Sequence, residues 1–128
     1  MADRAFPVIW ARDVEHSASF YEQLGFERHV QLPSDGEPGY VGLRRGAYEL
    51  AVVTVVSPQQ VLGIEAGTAP RFELYVYVDD LDGDLERLRA AGVGVLKEPE
   101  TMPWGERLAF VADPDGNPVT LAVAPDSA

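Results

Sequence analysis

Apolar and polar positions along the chain follow a strand-then-helix order, and that order occurs twice. Residues 5–11 (AFPVIWA) form a short apolar run that predicts a strand. Asp13 follows, then Val14, Phe20, Tyr21 and Leu24 at helical spacing, then Gly25. Residues 72–78 (FELYVYV) predict a second strand of this kind. Asp80 follows it, then Leu81, Leu85, Leu88 and Ala91 at helical spacing, then Gly92. Twelve residues separate Asp13 from Gly25, and twelve separate Asp80 from Gly92. An Asp before a helix accepts hydrogen bonds from its first free N–H groups, and a Gly after it takes the left-handed conformation that ends it. Three strand-like segments follow each helix: residues 26–32, 40–45 and 48–55, then 94–97, 107–112 and 118–123. Turn formers separate them at Pro33-Ser34-Asp35-Gly36, Arg45-Gly46 and Asp113-Pro114-Asp115-Gly116-Asn117. Each half therefore reads β-α-β-β-β, an internal repeat. The last strands echo each other, Glu49-Leu50-Ala51-Val52 against Thr120-Leu121-Ala122-Val123. Module one is expected over residues 5–56, a linker rich in Gly, Pro, Gln and Ala over 57–70, and module two over 71–124. The 128 residues suit one α+β domain, since neither half has enough core to stand as a separate domain.

Alternation also assigns faces. In residues 72–78, Phe72, Leu74, Val76 and Val78 make an apolar face that suits packing on a helix. Glu73, Tyr75 and Tyr77 make the other. A carboxylate and two phenols suit a half-wet surface, where a ring is buried and its hydroxyl finds a partner. In the repeat, Phe6, Val8 and Trp10 correspond to Glu73, Tyr75 and Tyr77. Glu49, Ala51 and Val53 share a face, as do Thr120 and Ala122. Together with Tyr40, Phe110 and the loop residue Trp104, these positions outline a trough for a bulky ligand with flat and cationic parts. Two alternatives stay open. Phe6, Trp10 and Tyr75 can instead fill a gap between two sheets, and Trp104 can pack on its own hairpin.

Composition narrows the function classes. There are no cysteines, which excludes a disulfide scaffold, thiol catalysis and Cys-ligated metals. The net charge is −11, and it is uneven: residues 1–64 carry 8 acids and 5 bases, residues 65–128 carry 13 and 5. No basic stripe is available for nucleic-acid phosphates or an anionic membrane. The acids at 79–86 suit a helix start, where negative charge favours the dipole. No leader is visible in residues 1–10, and the longest apolar run, 50–56, falls far short of a membrane span. A cytoplasmic protein is the expectation. His16 and His29 lie in no metal-ligand spacing, and Ser17 and Ser19 in no nucleophile elbow. Gly92-Val93-Gly94 precedes no helix and so is no nucleotide loop.

Several motifs resemble the vicinal oxygen chelate superfamily, the glyoxalase / bleomycin-resistance / dioxygenase fold. They are Asp13…Ser19-Phe20-Tyr21…Leu24-Gly25-Phe26, Val78-Asp79-Asp80-Leu81, Leu88-Arg89-Ala90-Ala91-Gly92-Val93 and Asp113-Pro114-Asp115-Gly116-Asn117-Pro118. The resemblance covers roughly residues 5–124. It implies paired βαβββ modules with curved mixed sheets, usually assembled as a homodimer. Its metal-dependent members hold a metal with four side chains, and the matching positions here are Phe6, Glu49, Glu73 and Thr120. A phenyl group and a hydroxyl leave two carboxylates, too few donors for a firm site. No metal and no cofactor are therefore expected. Trp104-Gly105 with Arg107, and Leu43-Arg44-Arg45-Gly46 before Glu49-Leu50, are similar to the metal-free bleomycin-resistance proteins.

These readings point to a homodimer that sequesters a bulky aromatic cytotoxic antibiotic in a cleft at the dimer interface and so confers self-resistance. The ligand would be bleomycin-like or a planar polycyclic or enediyne-type product. The expected ligand-binding residues are Phe6, Val8, Trp10, Tyr40, Glu49, Glu73, Tyr75, Tyr77, Trp104, Phe110 and Thr120. Glu49 and Glu73 are expected to meet a cationic ligand group or a neighbouring arginine such as Arg107. One rival is a metal-dependent glyoxalase- or dioxygenase-like enzyme using Glu49 and Glu73. Another is an accessory protein that uses its sheet edge for assembly.

Overall fold

The structure, a computed structural model, describes residues 4–125. The chain divides into two compact units, Met1–Gly67 and Thr68–Ala128. Each contains one four-stranded mixed sheet with a helix, an α+β arrangement.

The first unit runs β1 (Val8–Ala11), α1 (Val14–Glu22), β2 (Glu27–Leu32), β3 (Tyr40–Arg45), β4 (Tyr48–Thr54) and α2 (Ser57–Leu62). Its strand order is β1-β4-β3-β2, with β1 parallel to β4 and the other pairs antiparallel. The Asp13 carboxylate caps α1 by accepting the His16 N–H at 3.0 Å, and Gly25 follows the helix with φ +93°. Buried Ile9, Val41, Leu43, Leu50 and Val52 form the sheet's inner face. Tyr21 of α1 is fully buried and stacks edge-on with Phe20 and Phe26, at centroid separations of 4.9 and 6.2 Å. Arg28 ties β2 to this helix through Glu15 and Glu22.

The second unit repeats the plan with β5 (Leu74–Tyr77), α3 (Leu81–Ala90), β6 (Val95–Thr101), β7 (Arg107–Ala112) and β8 (Pro118–Val123), in the order β5-β8-β7-β6. Asp80 caps α3 through the Gly83 N–H at 3.0 Å, and Asp82 and Asp84 lie in its first turn. Leu81, Leu85 and Leu88 are buried, as are Val76, Ala109, Val111, Val119 and Leu121 of the sheet. Before β8, the Asp113 carboxylate accepts the backbone N–H groups of Asp115 and Asn117 and the Asn117 side-chain amide. The Asn117 side-chain oxygen Oδ1 accepts the Arg71 backbone N–H at 2.9 Å, which anchors the approach to β5.

Several boundaries differ from the sequence expectation, most by a single residue and some by more. β1 begins at Val8, because Pro7 has no N–H to donate and contributes only its carbonyl, which accepts the Ala51 N–H at 3.0 Å. β5 begins at Leu74 rather than at residue 72. β6 runs on to Thr101 through Pro99, which an edge strand with register shifts tolerates. The segment 57–70 is not wholly irregular: Pro58 starts the short helix α2, and Gly63 closes it with φ +72°.

Register also corrects the alignment of the two last strands. Val8 and Tyr75 both lie five residues before their capping Asp. Val8 pairs with Ala51, whereas Tyr75 pairs with Thr120. Thr120 therefore matches Ala51, not Glu49. Glu49 lies one pleat nearer its hairpin, at the place of Pro118. No helix among the described residues is long and apolar enough to cross a membrane.

Candidate functional site

In each unit the sheet face turned away from the packed helix collects the expected site residues. In the first unit β1 turns Ile9 and Ala11 inward, so Val8 and Trp10 lie on the other side, with Val8 47% exposed. Cross-strand pairing adds Tyr40 with Val53, Gly42 with Ala51 and Arg44 with Glu49 to that side. Arg4 donates two hydrogen bonds to Glu49, at 2.8 and 2.7 Å, while its guanidinium lies 5.0 Å from the Phe6 ring centroid. A side chain at Gly42 would meet His29 and Val30 at 3.3–3.4 Å, so the glycine leaves His29 room to lie across β3. Its Nε2 comes within 3.5 Å of Glu49. The Arg4 hydrogen bonds hold the Glu49 carboxyl below its usual range, and Glu49 in turn raises Arg4. This face therefore carries an acid already neutralised from within its own unit.

The second unit differs. Leu74 and Val76 turn inward, and Glu73, Tyr75 and Tyr77 turn outward. Thr120 and Phe110 pair on the outward side, and Thr120 donates to Glu73 at 2.8 Å. The rings of Tyr75 and Tyr77 lie 5.4 Å apart. The loop from β6 to β7 is closed by hydrogen bonds from Met102 N–H to the Glu106 carbonyl and from Gly105 N–H to the Met102 carbonyl. Gly105 holds φ +99° there, a conformation that favours glycine. That turn brings Trp104 and Glu106 together over the tyrosines. The Glu106 carboxylate accepts three hydrogen bonds. Tyr75 Oη and Trp104 Nε1 donate to Oε1, both at 2.7 Å, and Tyr77 Oη donates to Oε2 at 2.5 Å.

All three donors are neutral. They stabilise the ionised carboxylate, Tyr77 most, and hold Glu106 below its usual range. Partial burial, and then the hydrogen bond to Glu106, push the Tyr75 phenol up; the Glu106 bond is the leading cause for Tyr77. Among the described residues no Lys, Arg or His forms an ion pair with Glu106. Lys97, on the same sheet, pairs with Glu100 at 3.0 Å. Tyr75, Tyr77 and Trp104 remain 43%, 51% and 60% exposed. The arrangement is an ionised carboxylate framed by three accessible aromatic rings.

The eleven expected residues thus fall into two sets. Phe6, Val8, Trp10, Tyr40 and Glu49 share the outward face of the first unit, and Glu73, Tyr75, Tyr77, Trp104, Phe110 and Thr120 gather in the second. Arg107 is not their neighbour. It turns to the helix side and pairs with Asp82 of α3 at 3.0 Å, as alternation with Leu108 requires. Sequence reasoning passed over Glu106 and Arg4. A period of two back from Phe110 and Leu108 reaches Glu106, so a signal existed for it. Nothing in the pattern before residue 5 marked Arg4.

Each unit is thus a βαβββ module with one sheet face turned away from its helix. The chain belongs to the Glyoxalase/Bleomycin resistance protein/Dioxygenase superfamily, whose family model matches residues 5–121. It is 28% identical to a bleomycin resistance protein of Klebsiella pneumoniae, over 94% of this chain and 92% of that one. Solved structures share its fold, two of them as follows. A hypothetical protein of S. aureus has a TM-score of 0.81 at 23% identity, covering 97% of this chain and 95% of that one. A lactoylglutathione lyase from Agrobacterium tumefaciens has a TM-score of 0.72 at 20% identity, covering 98% and 96%.

The donor set does not fit the metal that other members hold. Phe6 has no lone pair to offer. Glu49 is occupied by Arg4, and the Thr120 hydroxyl is committed to Glu73. Among the described residues no three His, Asp or Glu side chains are placed to hold a metal ion.

Proposed function

We propose that this protein binds and sequesters a bulky aromatic antibiotic without changing it, in the manner its bleomycin-resistance relative suggests. The observation that carries the reading is the exposed ring trio Tyr75, Tyr77 and Trp104 fixed around an ionised Glu106. Aromatic groups left in water cost solvation free energy that a flat ligand recovers on stacking, at about 0.5–1.5 kcal/mol per ring pair beyond area burial. Hydrogen bonds to Glu106 hold the rings in place beforehand, which lowers the ordering cost of binding. Phe6 at a metal-ligand position, with no donor to offer, further supports binding over metal chemistry. In this reading the protein acts in the cytoplasm as one domain and as a homodimer, with the cleft at the dimer interface. The exposed apolar side chains of Val61, Leu62 and Ile64 offer surface for a second copy.

The test is tryptophan fluorescence of chelator-treated protein titrated with bleomycin, mitomycin and an anthraquinone antibiotic. Saturable quenching near one ligand per chain, with the drug recovered intact, is the expected result. A response that needs an added divalent metal, or a drug recovered altered, would sink the reading in favour of an enzyme.

A further inference from the structure

We propose that Glu106 is the charge-recognition point of this site, and that the ligand class it selects is a planar aromatic molecule carrying a protonated amine. The proposal deepens the sequestration reading and rests on it. It departs from the sequence expectation, which gave that task to Glu49 and Glu73. Glu49 is paired with the Arg4 guanidinium, whereas Glu73 accepts from the Thr120 hydroxyl and, among the described residues, from no aromatic side chain.

Glu106 combines three properties that they lack together. It carries its full charge, because its three partners are neutral. It is oriented, because those partners come from strand β5 and from a hairpin loop. It also keeps room for a donor. A carboxylate offers about four lone-pair positions. Two donors fill Oε1 and one fills Oε2, so one position on Oε2 stays available to an ammonium N–H. Beside it the rings of Tyr75, Tyr77 and Trp104 stay exposed, a surface on which a flat ring can stack and a cation can rest. A neutral planar molecule would gain only the rings. A compact ammonium would gain only the charge. A planar amine gains both.

The decisive experiment is isothermal titration calorimetry of the whole protein with daunorubicin and with its N-acetyl derivative, which keeps the planar rings and removes the cation. The same pair is then titrated into Glu106→Gln. A glutamine suits the purpose because its carbonyl oxygen can still accept from Tyr75 and Trp104, while its amide donates to the rotatable Tyr77 hydroxyl. Shape and network persist, and only the charge is lost. Matching circular dichroism of the variant checks that its fold is intact. On wild type the amine should bind about tenfold more tightly than its acetylated form, the scale of one charge-assisted hydrogen bond at a half-open site. Glu106→Gln should erase that difference between the amine and its acetylated form.

Equal affinities on wild type, unchanged by Glu106→Gln, would overturn the Glu106 proposal while sequestration stands. A preference for the amine that vanishes in Glu49→Gln or Glu73→Gln but survives in Glu106→Gln would overturn it too. Binding of neither compound, together with silence toward the antibiotics of the fluorescence test, would bring down the sequestration reading itself.

Discussion

The two units share a plan, yet their outward faces follow opposite electrostatic solutions. In the first, Arg4 and His29 crowd Glu49, and Arg4 covers Phe6. In the second, two tyrosines and a tryptophan hold Glu106, and among the described residues no cation pairs with that carboxylate. Equivalent positions explain the contrast. Leu108 matches Tyr40 through their pairing with Ala122 and Val53, so Glu106 stands where Pro38 does. Proline can supply no acceptor from its side chain, and the first unit's hairpin loop, residues 33–39, has no aromatic residue. A duplicated scaffold keeps its caps and core while the loops between its strands decide the chemistry of each face. A neutralised acid invites no cation, whereas an acid held by neutral donors does.

The largest effect expected from breaking this comparison is on folding. Leu50→Ala in the first unit and Leu88→Ala in the second each empty a buried leucine position and should cost about 2–5 kcal/mol. Urea unfolding followed by circular dichroism should show one transition that either variant shifts. Two separate transitions, each answering to only one variant, would contradict a single domain. Next comes Trp104→Ala. Its ring is 60% exposed, so thermal stability should hold while ligand affinity falls by about tenfold. If Trp10→Ala weakens binding and Trp104→Ala does not, the working face belongs to the first unit.

A smaller effect concerns pH. The folded pKa of Glu106 is depressed, so its stabilising contribution is present above the ordinary carboxylate value and is lost as pH falls through the lowered one. Affinity for a planar amine should stay level from about pH 7 to about pH 5 and decline only under more acid conditions. Tyr75→Phe with Tyr77→Phe removes two of the three donors and should move that decline to higher pH. Carboxyl-carbon NMR of Glu106 would reveal an unmoved titration if the phenols do not act on it. The smallest effect is that of Arg4→Ala. Its ion pair is solvent-exposed, so the urea midpoint should barely change, while Glu49 should titrate closer to its ordinary value. A large loss of stability there would mean that Arg4 does more than neutralise Glu49.

Much of the fold was legible because local physics announces it. Asp13 and Asp80 cap their helices, glycines follow both, and the strands at 107–112 and 118–123 have the expected bounds. The outward direction of Tyr75 and Tyr77 followed from a period of two. The candidate site was only half legible. Trp104 and the tyrosines were named from sequence but their common partner Glu106 was not, and Arg107, expected beside Glu49 or Glu73, has a pleat position that sends it to Asp82. The linker's composition concealed α2, and an internal echo suggested a match of Glu49 with Thr120 that strand register moves by two residues.

The sequence by itself determined what depends on neighbours along the chain: the repeat, the caps, the inward and outward sets of each strand, the absence of thiol chemistry and a donor-poor metal position. Only the tertiary structure decided which carboxylate is neutralised and which keeps its charge. That outcome depends on residues 45 positions apart in the case of Arg4 and Glu49, and about 30 apart for Glu106 and its tyrosines. Such meetings are set by sheet register and loop closure, and a hydrogen bond changes sharply over distances far smaller than any that composition or periodicity can specify.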